Sequence, residues 1–484
     1  MRYLRKLTAL LLTTPMLLSA CAPAVGIHRS TGNQWIAGFG SAAIIPDNLK
    51  ENPLYISGYN QGWLSKTYIN NNALAVYKEF REGWGESPDP DYAQARAVYL
   101  DAGAGGVLLI GVDCVALSIH HVEIIRQKLS PLAEKANCLS VNVYATHSHA
   151  LPDTLGLWGP VGTDGKNEAY MDKLVEAAVS AGTQALSALH KGTLRYGKVT
   201  TEDVLYDSRE PHVYDPDLHQ LRFEGEDGFG VRMFFFAAHA ESLRGANRLL
   251  SRDFPGVLCD LVTAETGDNT LFLPGAIGGL LMTREYTGIA QEDLQITGRT
   301  LADYALSITP EAERELKPTL TVARTEFSCP LDNSAFLYYQ FLGILKCKAE
   351  NGTGSTGYNV CSEMSVLKID GLHIVLIPGE IFPELVYGGD YGSASPENTN
   401  PTPLVDILRE FGGKDLLIIG LANDELGYIV SPSDFLVNPD RPYLDKIVDE
   451  TGENHYEETN SVGPAMAGRI SDTFRKLMES LEKE

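Results

Sequence analysis

Basic residues are scarce in this chain. Its 484 residues hold 39 Lys and Arg against 63 Asp and Glu, a formal net charge of −24. So acidic a body argues against nucleic acid as a partner and against electrostatic docking on anionic lipid. Cysteine is also sparse, with 7 in all and no Cys-x-x-Cys pair, which speaks against a thiolate zinc cluster or a thioredoxin-like site. Neither His-Glu-x-x-His nor Gly-x-Ser-x-Gly occurs, so the helical zinc-protease motif and the serine-hydrolase elbow are missing. Beyond residue 21 no apolar run is long enough to span a bilayer. At 44% hydrophobic and 21% charged residues the composition is that of a globular protein.

The amino terminus is different. Arg2, Arg5 and Lys6 precede an apolar run over residues 7–18, the form of a secretion signal. It closes on Leu18-Ser19-Ala20-Cys21, which resembles a bacterial lipobox. The expected organisation is a signal peptide over residues 1–20, a lipidated tether from Cys21 to residue 36, and one catalytic body over residues 37–484. That places the mature protein in the bacterial cell envelope, anchored to a membrane by lipid on Cys21. Ala22 is not the inner-membrane aspartate, so in a Gram-negative cell the outer membrane is expected. Export makes disulfides possible, and Cys347 with Cys361 is the best pair because the two bracket a Gly/Asn/Thr-rich loop. Cys114 and Cys138 lie in apolar runs and read as buried thiols.

The body mixes strands and helices. Residues 95–100 and 106–114 are apolar runs joined by Asp-Ala-Gly-Ala-Gly, a hairpin signal. Residues 141–146, 230–238 and 416–421 read as strands, and residues 366–369 and 372–377 flank Asp370-Gly371, a two-residue hairpin turn. Helical spacing marks residues 167–190, and a closing helix covers about 464–481. Hairpins interleaved with helices imply an α+β fold with mixed sheets.

Four residues share one address in that pattern. His147 follows the strand 141–146, His239 follows 230–238, Glu380 follows 372–377 through Pro378-Gly379, and Tyr428 lies just past 416–421. Two imidazoles, a carboxylate and a phenolate form a donor set suited to zinc, with room for water or substrate. A lone histidine after a strand is more often a hydrogen-bonded structural residue, and spacing does not separate the two readings.

The local motifs, in order along residues 37–470, resemble the neutral/alkaline ceramidase family. They are Gly38-Phe39-Gly40-Ser41-Ala42, Ile56-Ser57-Gly58-Tyr59, Arg96-Ala97-Val98 with Asp113, and Ala145-Thr146-His147-Ser148-His149. Asp215-Pro216-Asp217-Leu218 with Leu221-Arg222-Phe223, His239 with Ser251-Arg252-Asp253, Pro378-Gly379-Glu380, Ala422-Asn423 with Gly427-Tyr428, and Tyr456-Glu457 follow. The resemblance implies a zinc-dependent hydrolase cleaving the amide of an N-acyl lipid or a related amide, with His147, His239, Glu380 and Tyr428 as Zn2+ ligands. It further implies that His149 and Tyr456 donate hydrogen bonds to the substrate carbonyl or the tetrahedral oxyanion. Asp253 and Asp268 are separately expected to fix loops or ligand tautomers through hydrogen bonds. The family's Gly-Asp-Val-Ser-Pro segment corresponds to Gly267-Asp268-Asn269-Thr270-Leu271, so Thr270 takes the place of a catalytic serine. After His149 the chain has Ala150-Leu151-Pro152-Asp153 where the family has Ser-Gly-Pro-Gly, and it ends without the family's immunoglobulin-like domain. These departures leave a second reading, a surface lipoprotein that uses the scaffold to bind a ligand without turnover.

Overall fold

The computed structural model describes residues 25–46, 54–59, 68–69, 91–160, 162–245, 247, 250–389, 399–449 and 452–482. The signal segment and Cys21 lie outside the described residues. The architecture is α+β, with a nine-stranded and a six-stranded mixed sheet. No helix among the described residues is long and apolar enough to cross a membrane.

Two-residue periodicity sorts the side chains of the central strands into separate cores. From Ala93–Asp101 and Gly106–Val112, Val98, Leu100, Val107 and Leu109 face the smaller sheet, where Leu320, Val322, Leu367 and Ile374 meet them. Ala95, Ala97, Tyr99, Leu108 and Ile110 face the other way, onto the helices Ile119–Lys135 and Glu168–Ser187. The smaller sheet is covered on its outer face by the amphipathic closing helix Ala465–Glu482, through Met466, Ile470, Phe474 and Leu477. Helices thus enclose a two-sheet sandwich. Every residue of Gly106–Val112 is buried because both of its faces are covered, which is why the segment reads as an unbroken apolar run.

In the larger sheet the order is Asn269–Pro274, Gly230–Phe236, Asp217–Gly225, His190–Thr200, Trp35–Ile44, Ala93–Asp101, Gly106–Val112, Cys138–Ala145. The two outer pairs are parallel and the pairs between them antiparallel. The sheet is thinnest in the middle, where Trp35–Ile44 pairs with His190–Thr200 through only Trp35, Ile36 and Ala37. Past that point Gly38 and Gly40 let the helix Glu168–Ser187 press directly on the strand. A Cβ at Gly38 would lie 2.1 Å from the Ala185 carbonyl oxygen, and one at Gly40 2.2 Å from that of Ala181. In the smaller sheet Leu372–Leu376 and Asp415–Ile419 are parallel, and the Asp370-Gly371 turn forms as expected, with φ of 41° and 87°.

Two expectations fail. Residues 26–31, assigned to the tether, form the edge strand Gly26–Thr31, paired antiparallel with Thr319–Leu331. Trp35 is 1% exposed and its indole donates to the Leu316 carbonyl at 2.8 Å. The body therefore begins well before residue 37. Cys347 and Cys361 form no disulfide. Cys361 stands opposite Lys348, so Cys347 is one residue out of register and points to the other face; its thiol instead lies 3.2 Å from the Gln340 side-chain oxygen.

Trp35→Ala should lower unfolding stability by about 3–5 kcal/mol, read from the denaturant midpoint of the full chain. A loss within experimental error would return residues 26–36 to the tether.

Candidate metal centre

His147 follows Cys138–Ala145 and His239 follows Gly230–Phe236, yet five strands separate these two in the larger sheet. Along the ladder they point in opposite senses. A twist of about 20–25° per strand accumulates over the intervening pairs and turns their carboxyl ends toward one another. A parallel bridge between Ser148 and Ala240 joins the two ends, with the His149 N–H donating to the Ala240 carbonyl at 3.0 Å. Because side chains alternate, His147 and His149 flank Ser148 on one side as His239 and Glu241 flank Ala240. Glu380 follows the strand Leu372–Leu376 of the smaller sheet, and a separate two-residue parallel ladder sets it beside Tyr428.

The ring orientations are fixed by main-chain carbonyls. His147 Nδ1 lies 2.7 Å from the Val115 oxygen and His239 Nδ1 3.2 Å from that of Leu281. A carbonyl only accepts, so each Nδ1 carries the proton and each Nε2 is left with its lone pair. Both Nε2 atoms then face one carboxylate oxygen, Glu380 Oε2, at 3.3 Å and 3.1 Å. His149 Nε2 is 3.0 Å from His147 Nε2. Its Nδ1 lies 3.2 Å from Glu241 Oε2 but has no aligned hydrogen-bond partner. His147, His149 and His239 are all buried, and their nitrogens lie within 4.8 Å of one another.

Burial opposes ionisation of Glu380, but the His147 and His239 rings overcome it and hold the carboxyl well below its usual range. Burial lowers the His239 pKa, and Glu380 and Glu241 reverse that and raise it. Burial first, then the Glu380 charge, pushes the Tyr428 phenol far up. Lone pairs and a carboxylate converging in a buried space call for a shared cation, and this nitrogen and oxygen set fits zinc.

The remaining expected residues divide. Tyr456 lies against Tyr428, ring centroids 6.1 Å apart. Asp253 braces the His239 loop: its carboxylate accepts from the N–H groups of Ser242 at 3.1 Å and Leu243 at 3.2 Å. Thr270 does not reach the site. It opens the strand Asn269–Pro274 opposite Arg232, four residues before the end that lies beside Phe236, roughly 13 Å away at about 3.3 Å per residue. Its hydroxyl is occupied by the Cys259 carbonyl at 3.2 Å and by Thr263 at 3.0 Å. Asp268, at the same far end, pairs with Arg232 at 2.6 Å. The segment that does arrive beside Glu380 from this strand is Gly275-Ala276-Ile277-Gly278-Gly279, in which the Gly278 N–H donates to the Ile381 carbonyl at 2.9 Å. It carries no hydroxyl.

Two acids were missed by the sequence reading. Glu241 shares a face with His239 by its two-residue spacing, a signal visible only if residues 239–241 are known to be extended. Glu425 is 7% exposed. Burial first, and then the charge of Glu380, raises its pKa, and its Oε2 has no partner. A second group, Asp215, Asp217 and His219, could also contact a cation, but it is already engaged: Lys198 pairs with Asp217 at 2.6 Å and Tyr196 meets His219 Nδ1 at 2.9 Å.

Backbone strain gathers here. His147, Arg244, Asp253, Leu280, Leu421 and Asn423, all with positive φ, lie in the segments that carry or brace the cluster. Each such residue costs on the order of 1–3 kcal/mol, tolerated where the surroundings dictate the conformation.

Two solved structures share this arrangement of elements. A neutral ceramidase from Pseudomonas aeruginosa matches with a TM-score of 0.67 at 14% identity, over 93% of this chain and 75% of that one. A ceramidase complexed with C2 matches with a TM-score of 0.66 at 15% identity, over 93% and 76%. The chain has the neutral ceramidase fold. No protein-family model and no curated protein matches its sequence. At these identities the likeness to the ceramidase structures is one of fold.

His147→Ala and His239→Ala should each abolish stoichiometric metal binding, measured as zinc per chain in the purified protein. His149→Ala decides between donor sets: retained zinc supports His147, His239, Glu380 and Tyr428, and lost zinc supports the three histidines. Thr270→Ala should leave zinc content unchanged.

Proposed function

We propose that this chain is a zinc-dependent amide hydrolase acting on an N-acyl lipid or a related amide. One observation carries the reading: two imidazoles, each with Nδ1 tied to a carbonyl, present both Nε2 atoms to one oxygen of the buried carboxylate Glu380. The ceramidase fold supports the reaction class. His147, His239, Glu380 and Tyr428 would hold the zinc, which supplies Lewis-acid polarisation of a carbonyl and a lowered pKa for water.

The surrounding residues position and stabilise. Burial and the adjacent Glu457 keep the Tyr456 phenol protonated, so its hydroxyl is a donor for the carbonyl oxygen of a bound amide. Arg209 lies over the Tyr456 ring at 5.9 Å and binds Asn454 and Glu457, which fixes the segment that carries the phenol. His149 faces the same space from the larger sheet, with Glu241 behind it.

The segment Gly275–Gly279 favours a second reading, a ligand-binding protein without turnover, because Ala276 and Ile277 offer no hydroxyl at the mouth where the strand ends.

The test is a panel of N-acyl amides, from short-chain amides to ceramides, assayed with and without chelator. Chelator-sensitive release of fatty acid is expected, with Tyr456→Phe reducing kcat/KM about 10²–10³-fold at unchanged zinc content and Thr270→Ala close to native. Bound zinc with no turnover on any amide would install the second reading.

A further inference from the structure

The helix Ser334–Phe341 is built unlike its neighbours. From residue 334 to 348 the sequence is Ser-Ala-Phe-Leu-Tyr-Tyr-Gln-Phe-Leu-Gly-Ile-Leu-Lys-Cys-Lys, apolar and aromatic, with two lysines and no acid in a chain of net charge −24. Within the helix only Phe336 is buried. Phe341 is 66% exposed, the highest value among the large hydrophobic side chains of the described residues, and Tyr338 and Leu342 beside it are 56% and 44% exposed. Scattered apolar side chains on a surface need no explanation, whereas three within five residues on one short element form a patch.

Its position ties it to the metal centre. Asn333 donates to the carbonyls of Thr459 at 3.0 Å and Ser461 at 2.8 Å, in the segment that follows Tyr456. Ser461 in turn bridges Gly427, next to Tyr428. On the other side Lys166 holds the Ile344 carbonyl at 2.7 Å and that of Leu155 at 3.1 Å, in the stretch that follows His149. The patch therefore sits on the rim of the same end of the sandwich at which His147, His239 and Glu380 converge.

We infer that the segment 334–348 is a docking surface for a lipid bilayer with anionic headgroups, seating Tyr338, Phe341 and Leu342 at the acyl boundary and Lys346 and Lys348 at the phosphates. Aromatic rings with a polar tip beside lysines, in a segment with no acid of its own, suit that interface and make a local exception to the acidity of the body. Lys348 is paired with Glu123, so Lys346 carries most of the complementarity. This contact adds to any lipid on Cys21. The inference deepens the reading of the site as an N-acyl lipid hydrolase by giving the substrate a route from the membrane, but its readout is binding rather than turnover.

The experiment places an indole in the patch of the full chain, as Phe341→Trp, and a control at the opposite end, as Leu189→Trp. Leu189 is 46% exposed and precedes the strand His190–Thr200 at the end away from His239. Each protein is mixed with phosphatidylcholine vesicles, with or without phosphatidylglycerol, whose acyl chains carry bromine. Because quenching reports where the indole sits, attachment through the amino terminus alone does not produce it. The expected result is a blue shift and quenching at position 341 and not at 189, stronger with phosphatidylglycerol and weakened about tenfold in apparent affinity by Lys346→Glu. No quenching at 341, or equal quenching at both positions, overturns the inference. So does a native chain that is dimeric in solution and becomes monomeric with Phe341→Asp, since a second copy would then be the occupant. Quenching at 341 without amide turnover leaves the docking surface standing and removes the proposed activity; the reverse pattern does the opposite.

Discussion

One buried carboxylate holds the two halves of the site together. Glu380 leaves the smaller sheet and meets His147 and His239, both from the larger one. A desolvated anion is costly unless positive charge is brought to it, and the two rings can hold a shared cation against it through their Nε2 lone pairs only while their Nδ1 atoms remain tied to the Val115 and Leu281 carbonyls. Everything that keeps those carbonyls in place therefore acts on the metal centre. That includes the Asp253 brace beneath the His239 loop, and the residues 421–423 that cross from the smaller sheet to bond Ala145 and Val143. The strained residues are concentrated in these same segments, as expected where a rigid frame imposes geometry on the chain.

Much of this was legible in the sequence. Hairpins at Asp101–Gly106 and Asp370-Gly371, the long helix after Asn167 and the closing helix all follow from turn chemistry and periodicity. Strand-end spacing gave His147, His239, Glu380 and Tyr428 one address without separating a ligand from a structural role, and the family resemblance singled them out; His147, His239 and Glu380 do meet. The edge strand Gly26–Thr31 escaped because only one of its residues is buried, so it carries no apolar signal. The disulfide failed for a reason of register: loop-bracketing cysteines need sulfurs on the same face, and a strand that begins at Lys348 puts them on opposite ones.

Thr270 shows where local motifs mislead. Gly267 is the left-handed cap of the helix Asp253–Thr266, with φ of 76°, and the residues after it start a strand. That strand runs parallel to Gly230–Phe236, so if the residue after one strand's end is at the site, a residue at the start of its parallel neighbour cannot be. Strand direction, and not the shared Gly-Asp, decides the matter. Glu241 was missed for a related reason, since its face is defined only by the bridge between Ser148 and Ala240.

That bridge also limits how the chain can vary in length. On a ladder only one residue pair wide, His147 and His149 are presented together with His239 and Glu241 because each pair brackets the bridged position. A single deletion in either segment would rotate both of its side chains away from the cluster at once, whereas Ser148 and Ala240 could be exchanged for other small residues with the frame intact. In any set of relatives sharing this centre, the spacing within these two triplets should be invariant while the identity of the middle residue drifts. Gaps in their alignment belong in the connecting segments on either side.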